Sequence, residues 1–401
     1  MTAANPHVDA GSAGAPQTAS EATVLFGPPR VIYIISPQPW NGFRVSKHHY
    51  AIELAALGHR VYFIDPPDAK LARGAVRRTP TDIAGLTNVR YAPWFPYKLK
   101  FHARPLFDAA MRRQAHLLAQ AIGEKPHIVW DFDNAYQFAN LKAFGAGLNV
   151  FHPVDDFEPR FIETKNADII FSVAQRFLDR FTRPVVPMHL VPHGLSRDYA
   201  ATAQRISASP DVRERDARRP CIGYVGNLEH SGVDWPTILA MCDLCPDADF
   251  VFIGPYKPAG GRTPIDAIAQ RANCRLLGAK SAADIIALAS GIDVWLICYD
   301  AVRTVDGATN SHKILEYLAS GCAVLSNRID AYAGTDLAIM PPARDNAPMP
   351  QMLRNILDDL PAVNAPDRQR RRAQFALQHS YGGHLHAIDQ TLSALRGLRF
   401  A

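Results

Sequence analysis

Thr309-Asn310-Ser311-His312-Lys313-Ile314-Leu315-Glu316-Tyr317-Leu318-Ala319-Ser320-Gly321-Cys322-Ala323-Val324-Leu325-Ser326 predicts a helix whose two ends have different tasks, running into a strand. Thr309 to Ser311 are N-cap candidates. The first turn then offers unpaired backbone N–H groups and the positive end of the helix dipole to an anion such as a pyrophosphate. Lys313 adds a full charge there. Glu316, three residues on, lies on nearly the same face, where a carboxylate accepts hydrogen bonds from the vicinal hydroxyls of a ribose. Gly321 ends the helix and Ala323 to Leu325 open a strand. The same residues also fit an amphipathic helix with Ile314, Leu315 and Leu318 in a core and Lys313 and Glu316 as a solvated pair.

Outward from this stretch, strand-like and helix-like runs alternate. Val31 to Ile35 reads as a buried strand, Ser46 to Leu57 as a helix and Arg60 to Ile64 as a second strand, a βαβ opening. Further strands are expected at His127 to Trp130, Leu148 to Phe151, Asp168 to Val173 and Pro187 to Val191. After a polar, Arg-rich and Pro-punctuated passage the pattern restarts. Cys221 to Val225, Phe250 to Ile253, Cys274 to Leu277 and Asp293 to Cys298 read as strands, with helices at Trp235 to Cys242 and Ser281 to Ala289. Such alternation predicts parallel sheets covered on both faces, with ligand held at the carboxyl ends of the strands. The expected organisation is a disordered tail over 1–28, a first α/β domain over 29–195, a linker over 196–219, a second α/β domain over 220–378, and a C-terminal helix over 379–401 that returns to the first domain.

At 401 residues, 48% hydrophobic and 20% charged, the chain can bury two cores. Its net charge of +5 is too modest to announce nucleic acid, and suits an anionic substrate or membrane surface. No apolar run approaches the roughly 18 residues of a membrane span, and residues 1–28 lack the apolar core of a secretory signal. The six cysteines all follow residue 220, mostly inside apolar segments, as free thiols of a reducing cytoplasm do. Cys242-x-x-Cys245 has no second pair at metal-site spacing. The loop Ser36-Pro37-Gln38-Pro39-Trp40-Asn41-Gly42-Phe43-Arg44 is not Gly-x-Gly-x-x-Gly, which disfavours a dinucleotide cofactor, and no P-loop run exists.

The helix ending in Glu316-Tyr317-Leu318-Ala319-Ser320-Gly321, set in this order of segments, resembles the C-terminal domain of GT-B glycosyltransferases. The resemblance implies two Rossmann-like doubly wound domains facing a cleft, and transfer of a sugar from a nucleoside diphosphate sugar, with UDP favoured. It covers most of the chain from residue 29 onward. Gly223-Tyr224-Val225-Gly226-Asn227-Leu228 looks like the strand and Gly loop that opens the nucleotide-binding domain of family 4-like enzymes, and implies donor contacts from Gly226 and Asn227. Leu277, within Arg275 to Gly278, and Tyr299 fall where such enzymes hold base and ribose. Lys313 with the amides of Asn310 and Ser311 is expected on the diphosphate and Glu316 on the ribose. Two departures stand out. Many relatives carry a basic pair where this chain has Glu229 and His230, and Ala308 replaces the first Glu of a Glu-x7-Glu signature, leaving the Asp306 to Asn310 loop, Thr309 included, to contact the sugar.

In the first half, Asn149-Val150-Phe151-His152-Pro153-Val154-Asp155-Asp156 places two acids just past a strand's carboxyl end. Inverting transfer needs a base for the acceptor hydroxyl. The position of Asp155 is similar to the catalytic Asp of the xanthan glucuronosyltransferase, so Asp155 is the first candidate and Asp156 the second; a helix N-cap with an acidic first turn fits them too. His152, Trp40, Asn41, Gly42 and Arg44 are the expected acceptor or sugar contacts. Asp131-Phe132-Asp133 imitates the Asp-x-Asp metal signature of GT-A transferases, but the doubled α/β order does not fit that architecture, and it is read as a strand end or cap. His193-Gly194 matches a hinge turn. No metal and no cofactor are expected, the nucleotide sugar being a substrate. The acceptor is expected to be a glycan or lipid-linked glycan of cell-surface polysaccharide synthesis. Aromatic and basic residues interleaved between Trp94 and Arg113 suit contact with the inner face of an anionic membrane, or equally a solvated helix face over a normal core. Two rival functions share the frame: a nucleotide-sugar epimerase or phosphorylase, and a binder that keeps the pocket without catalysis.

Overall fold

The computed structural model describes residues 27–42, 44–154, 164–181, 186–209, 218–257, 263–303 and 312–400. The first sheet contains β1 (Val31–Ile35), β2 (Arg60–Ile64), β3 (Val76–Pro80), β4 (Leu86–Tyr91), β5 (Ile128–Asp131), β6 (Leu148–Phe151), β7 (Ile169–Ser172) and β8 (Met188–Leu190). Their order is β3-β4-β2-β1-β5-β6-β7-β8, parallel except for β3, an antiparallel edge. Between them lie α1 (Ser46–Ala56), α2 (Leu99–His102), α3 (Arg104–Ile122) and α4 (Gln175–Leu178). The largely apolar strands β1, β6 and β7 are buried at every position, Asn149 and Ser172 included, as strands covered on both faces require.

Next come α5 (Arg197–Ala208), β9 (Cys221–Val225), α6 (Trp235–Leu244), β10 (Asp249–Ile253), α7 (Pro264–Ala269), β11 (Cys274–Gly278) and α8 (Ala282–Ala289). The chain continues through β12 (Val294–Ile297), α9 (His312–Ala319), β13 (Ala323–Ser326), α10 (Met349–Asp358), α11 (Leu360–Val363), α12 (Pro366–Gln378) and α13 (Tyr381–Phe400). The second sheet is parallel in the order β11-β10-β9-β12-β13. Period-2 alternation divides its side chains between two cores. Val251, Ile253, Trp295 and Ile297 pack with residues of α5, α9 and α12, while Tyr224, Phe250, Phe252 and Leu296 pack with those of α6 and α10.

Part of the stretch expected as a linker is helical. Tyr199, Ala203 and Ile206 of α5, spaced i, i+4 and i+7, are buried in the second unit's core, and the polar residues between them face outward. The last residues return to the first unit: Tyr381, Leu385, Ile388 and Leu392 of α13 belong to the first core. Tyr381 stacks on His49 with centroids 5.0 Å apart, and its ring lies on Gly194, where a Cβ would come within 2.7 Å of it. That contact explains why a glycine follows His193. Arg197 of α5 also reaches Glu53 of α1 at 2.7 Å.

Both sheets reverse direction at a central strand. In the first, neighbours are added on one side of β1 by β2 and on the other by β5; in the second, β10 and β12 flank β9. The carboxyl ends of β1 and β5, and of β9 and β12, are therefore the crevices in which open α/β sheets hold ligands.

Candidate functional site

Three sequence candidates meet at the second crevice. Gly226 follows β9, Tyr299 follows β12, and Lys313 projects from the first turn of α9. Nζ of Lys313 donates to the Tyr299 hydroxyl at 2.7 Å and lies against Gly226, where a Cβ would stand 2.8 Å from it. It also sits 5.4 Å from the ring centroid of Tyr299 and 6.0 Å from that of Tyr224. Gly254 completes the cradle: its φ is +151°, and a Cβ there would fall 1.7 Å from the carbonyl oxygen of Gly226. Only backbone fits between the ends of β9 and β10, which leaves one ammonium facing a glycine-lined turn.

Tyr299 is held from both sides. Its N–H donates to Asn327 Oδ1 at 2.9 Å, and its carbonyl accepts from Asn346 Nδ2 at 2.8 Å. The ring of His230 meets it edge-on with centroids 5.8 Å apart. Glu229 points elsewhere, accepting from the Lys257 N–H at 2.9 Å. Asn227 is exposed beside Gly226, and its Oδ1 accepts from the Glu229 N–H at 3.0 Å. Leu277 of β11 packs on the second unit's core, and the neighbouring Gly278 carbonyl accepts from Gly254 at 2.9 Å.

Glu316 lies one turn along α9 from Lys313. Burial pushes its carboxyl up to about 7, and the Lys313 ammonium opposes that rise. Tyr199 of α5, Tyr317 of α9 and Tyr381 of α13 all feel its charge. Tyr317 fixes the helix against the sheet, its hydroxyl accepting from the Val225 N–H at 2.9 Å and its ring stacking on Trp295 at 4.5 Å. Sequence reading missed Tyr317, Tyr224 and Tyr381, because an aromatic in an apolar run signals core and nothing more.

His152 occupies the carboxyl end of β6. It is fully buried and stacked against Phe132 and Trp130. The Trp130 indole N–H donates to its Nδ1 at 3.3 Å, so the neutral ring carries its proton on Nε2, an atom with no hydrogen-bond partner among the described residues. Burial, with His193, His384 and Lys47 nearby, drives its basicity well below the usual imidazole value. The result is a neutral hydrogen-bond donor. The Trp40 ring packs on Phe63 at 5.1 Å and His48 at 5.6 Å, and its backbone N–H donates to Asp65 Oδ1 at 2.8 Å. The ring thus belongs to the first core, and Asn41, Gly42 and Arg44 form the exposed part of that loop.

Asp131 and Asp133 clamp a lysine. Lys165 Nζ lies 2.8 Å from Asp131 and 3.7 Å from Asp133, with all three side chains buried, between the rings of Phe151 and Tyr136. With Lys165 the pair forms a buried structural ion cluster at the carboxyl end of β5. Asp155, Asp156, Thr309, Asn310 and Ser311 lie outside the described residues, as does Ala308. Among the described residues no group of three or more His, Cys, Asp or Glu side chains is arranged to hold a metal ion. No disulfide joins the six cysteines, all of which are among the described residues.

No protein-family model matches the chain, and no curated protein matches it by sequence. Solved structures do. A UDP-forming α,α-trehalose-phosphate synthase from Burkholderia xenovorans, in complex with glucose-6-phosphate, superimposes with a TM-score of 0.64 at 14% identity, covering 92% of this chain and 100% of that one. A sucrose-phosphate synthase from Thermosynechococcus elongatus gives 0.61 at 13% identity, covering 92% and 100%. An E. coli trehalose-6-phosphate protein bound with UDP-2-fluoro glucose gives 0.61 at 11%, covering 91% and 98%. The chain has the GT-B fold. At these identities the likeness speaks for the arrangement of two Rossmann-like parallel-sheet units and leaves chemistry to the residues themselves.

Proposed function

We propose that the protein is a glycosyltransferase that moves a hexosyl or glycuronosyl group from a nucleoside diphosphate sugar, with UDP as the nucleotide, to a glycan or lipid-linked glycan in cell-surface polysaccharide synthesis. The observation that carries the proposal is the ammonium of Lys313 facing Gly226, packed on Gly254, at the switch point of the second sheet. A diphosphate is the anion that matches a backbone-lined turn, a cation and a helix N-terminus together. The UDP-forming synthase and the protein bound with UDP-2-fluoro glucose share its fold, which supports a uridine donor.

In this reading Lys313 and the amides of Asn310 and Ser311 bind the diphosphate, Glu316 binds the ribose, and Tyr299 and Leu277 border the nucleotide. His152 donates from Nε2 to a sugar hydroxyl. The acceptor hydroxyl attacks the anomeric carbon as the bond to the diphosphate oxygen breaks. Its proton passes to Asp155, with Asp156 as the alternative base, and the charge gained by the leaving diphosphate is met by Lys313. The reaction needs no metal on this account, and its setting is cytoplasmic. The narrower likeness to the xanthan glucuronosyltransferase rests on the Asp155 and Glu316 motifs alone.

The test is a thermal-shift panel of UDP, GDP, ADP, TDP and their sugar conjugates, with and without EDTA, on the wild type and Lys313→Ala. A metal-independent shift with UDP compounds that the variant loses, followed by UDP release with a glycan acceptor, is the expected result. Absence of any nucleotide shift in the wild type overturns the donor site. UDP binding without turnover, even with glycan and sugar-phosphate acceptors, favours the binder reading.

A further inference from the structure

The described residues expose seven large apolar side chains, and three of them fall close together in sequence: Trp94 at 40%, Phe101 at 75% and Leu106 at 64%. Helix α2 has no buried residue at all. On α3 the exposed stripe begins apolar, with Pro105, Leu106 and Ala109, and continues basic, with Arg112, Arg113 and His116. Between residues 94 and 113 stand Lys98, Lys100, Arg104, Arg112 and Arg113 against one carboxylate, Asp108, which is already paired with Arg104 at 2.7 Å. Lys98, Arg112 and Arg113 are exposed, and Arg113 lies 5.1 Å over the Trp94 ring. Phe95 and Phe107 from the same stretch are buried in the first core, so the segment's aromatic residues divide into an inner set that anchors it and an outer set, Trp94 and Phe101, that stays exposed.

Placement gives the patch meaning. β4 runs parallel to β2, and β2 to β1, so the chain leaving Tyr91 emerges on the edge where β1, β5 and β6 end at Ile35, Asp131 and Phe151. The α2–α3 surface is thus raised on the same sheet edge as His152 and the loop that follows it. An aromatic-tipped turn flanked by cations, with one paired acid, is complementary to a surface that is apolar inside and anionic at its rim.

We propose that α2 and the first turns of α3 dock on an anionic lipid bilayer, with Phe101 and Leu106 entering the acyl boundary and Lys98, Arg112 and Arg113 meeting the headgroups. The docking sets the carboxyl edge of the first sheet at the membrane surface, where a lipid-linked acceptor is presented. Its purpose rests on the glycosyltransferase reading, but its test does not.

The full chain is mixed with vesicles of phosphatidylcholine alone, or with roughly one-third phosphatidylglycerol, and bound protein is measured by flotation over a salt series. Binding to the anionic vesicles only is expected. Phe101→Ser with Leu106→Ser should weaken it roughly tenfold or more, and Lys98→Gln with Arg112→Gln by a similar factor. Leu244→Ser, an exposed apolar side chain on α6, should leave it unchanged. All variants should keep the wild-type melting temperature and UDP shift, which separates failure of this proposal from failure of the donor site. No vesicle binding, or binding indifferent to Phe101 and Leu106, overturns the docking. A concentration-dependent dimer abolished by the same Phe101 and Leu106 substitutions overturns it too, because a second copy would then be what covers the patch.

Discussion

Replacing Gly226 by alanine sets a methyl group 2.8 Å from Nζ of Lys313 and 3.1 Å from the ring edge and hydroxyl of Tyr224. To reach ordinary contact the ammonium must retreat by roughly half an ångström or more. It cannot do so while keeping its 2.7 Å bond to Tyr299, whose backbone is fixed by Asn327 and Asn346. Hydrogen bonds to charged groups contribute about 1.5–3 kcal/mol, so Lys313→Ala should weaken UDP binding by roughly 10- to 150-fold. Gly226→Ala should by itself weaken UDP binding by part of that amount, while thermal stability changes by no more than about 1–3 kcal/mol, since the nearest atom is the end of a flexible side chain. With Lys313 already alanine, the methyl's shortest contact is gone and the 3.1 Å approach to Tyr224 remains. The double variant should therefore bind UDP no worse than Lys313→Ala alone, a coupling of about 1 kcal/mol or more. Isothermal titration of UDP into the four proteins measures the cycle. Wild-type affinity in Lys313→Ala, or strict additivity of the two losses, refutes the cradle.

Glu316 supplies a pH test. Its folded-state value of about 7 lies above the ordinary 4.5, so the fold favours its protonated form. The stability it contributes is full below pH ~4.5 and is lost as pH rises toward 7, a difference of about 3 kcal/mol at most. Glu316→Gln should therefore gain stability relative to wild type above pH 7 and match it near pH ~4.5, while losing the rise in UDP affinity that ionisation of a ribose-binding carboxylate gives; a pH-independent stability difference in denaturant titrations counts against the buried carboxyl. Lys165→Met leaves Asp131 and Asp133 buried without their cation, and breaking such a pair costs about 3–5 kcal/mol. Because Asp131 is already pushed up to about 7 by burial, the variant should regain stability as the medium is acidified and its carboxyls take up protons. Stability that falls in parallel with wild type between pH 7 and 5 shows that the cluster is not what holds the β5–β6 edge together.

What the sequence made legible follows from how far each signal reaches. β1, β6 and β7 are apolar at every position or nearly so, and β9, β10 and β12 are apolar enough to stand between turn residues, so each strand could be read within its own length. β3, Val76-Arg77-Arg78-Thr79-Pro80, is exposed along most of an antiparallel edge and carries no such signal. α5 hid in an Arg-rich passage because three buried residues in twelve suffice for a helix that packs on one side. The site divides in the same way. Lys313, Glu316 and Gly226 could be named as candidates because each stands beside a local landmark, the start of a helix or the end of a strand.

Their partners were not readable, because contact is decided by strand order and register. Trp130 reaches His152 from 22 residues away through the β5–β6 register, which pairs it with Val150. Lys165 closes on Asp131 across 34 residues, with φ at +53°, a backbone value that Lys adopts only when its surroundings hold it there. Gly226 and Tyr299 both meet Lys313 only because β9 and β12 are neighbours, which sets the turn after one beside the turn after the other. A motif scan registers what stands past each strand end; the reversal of strand order at β9 decides which ends converge. That is why the asparagines clamping Tyr299, one after β13 and one before α10, belong to the same site as Lys313 although nothing in their local sequence marks them.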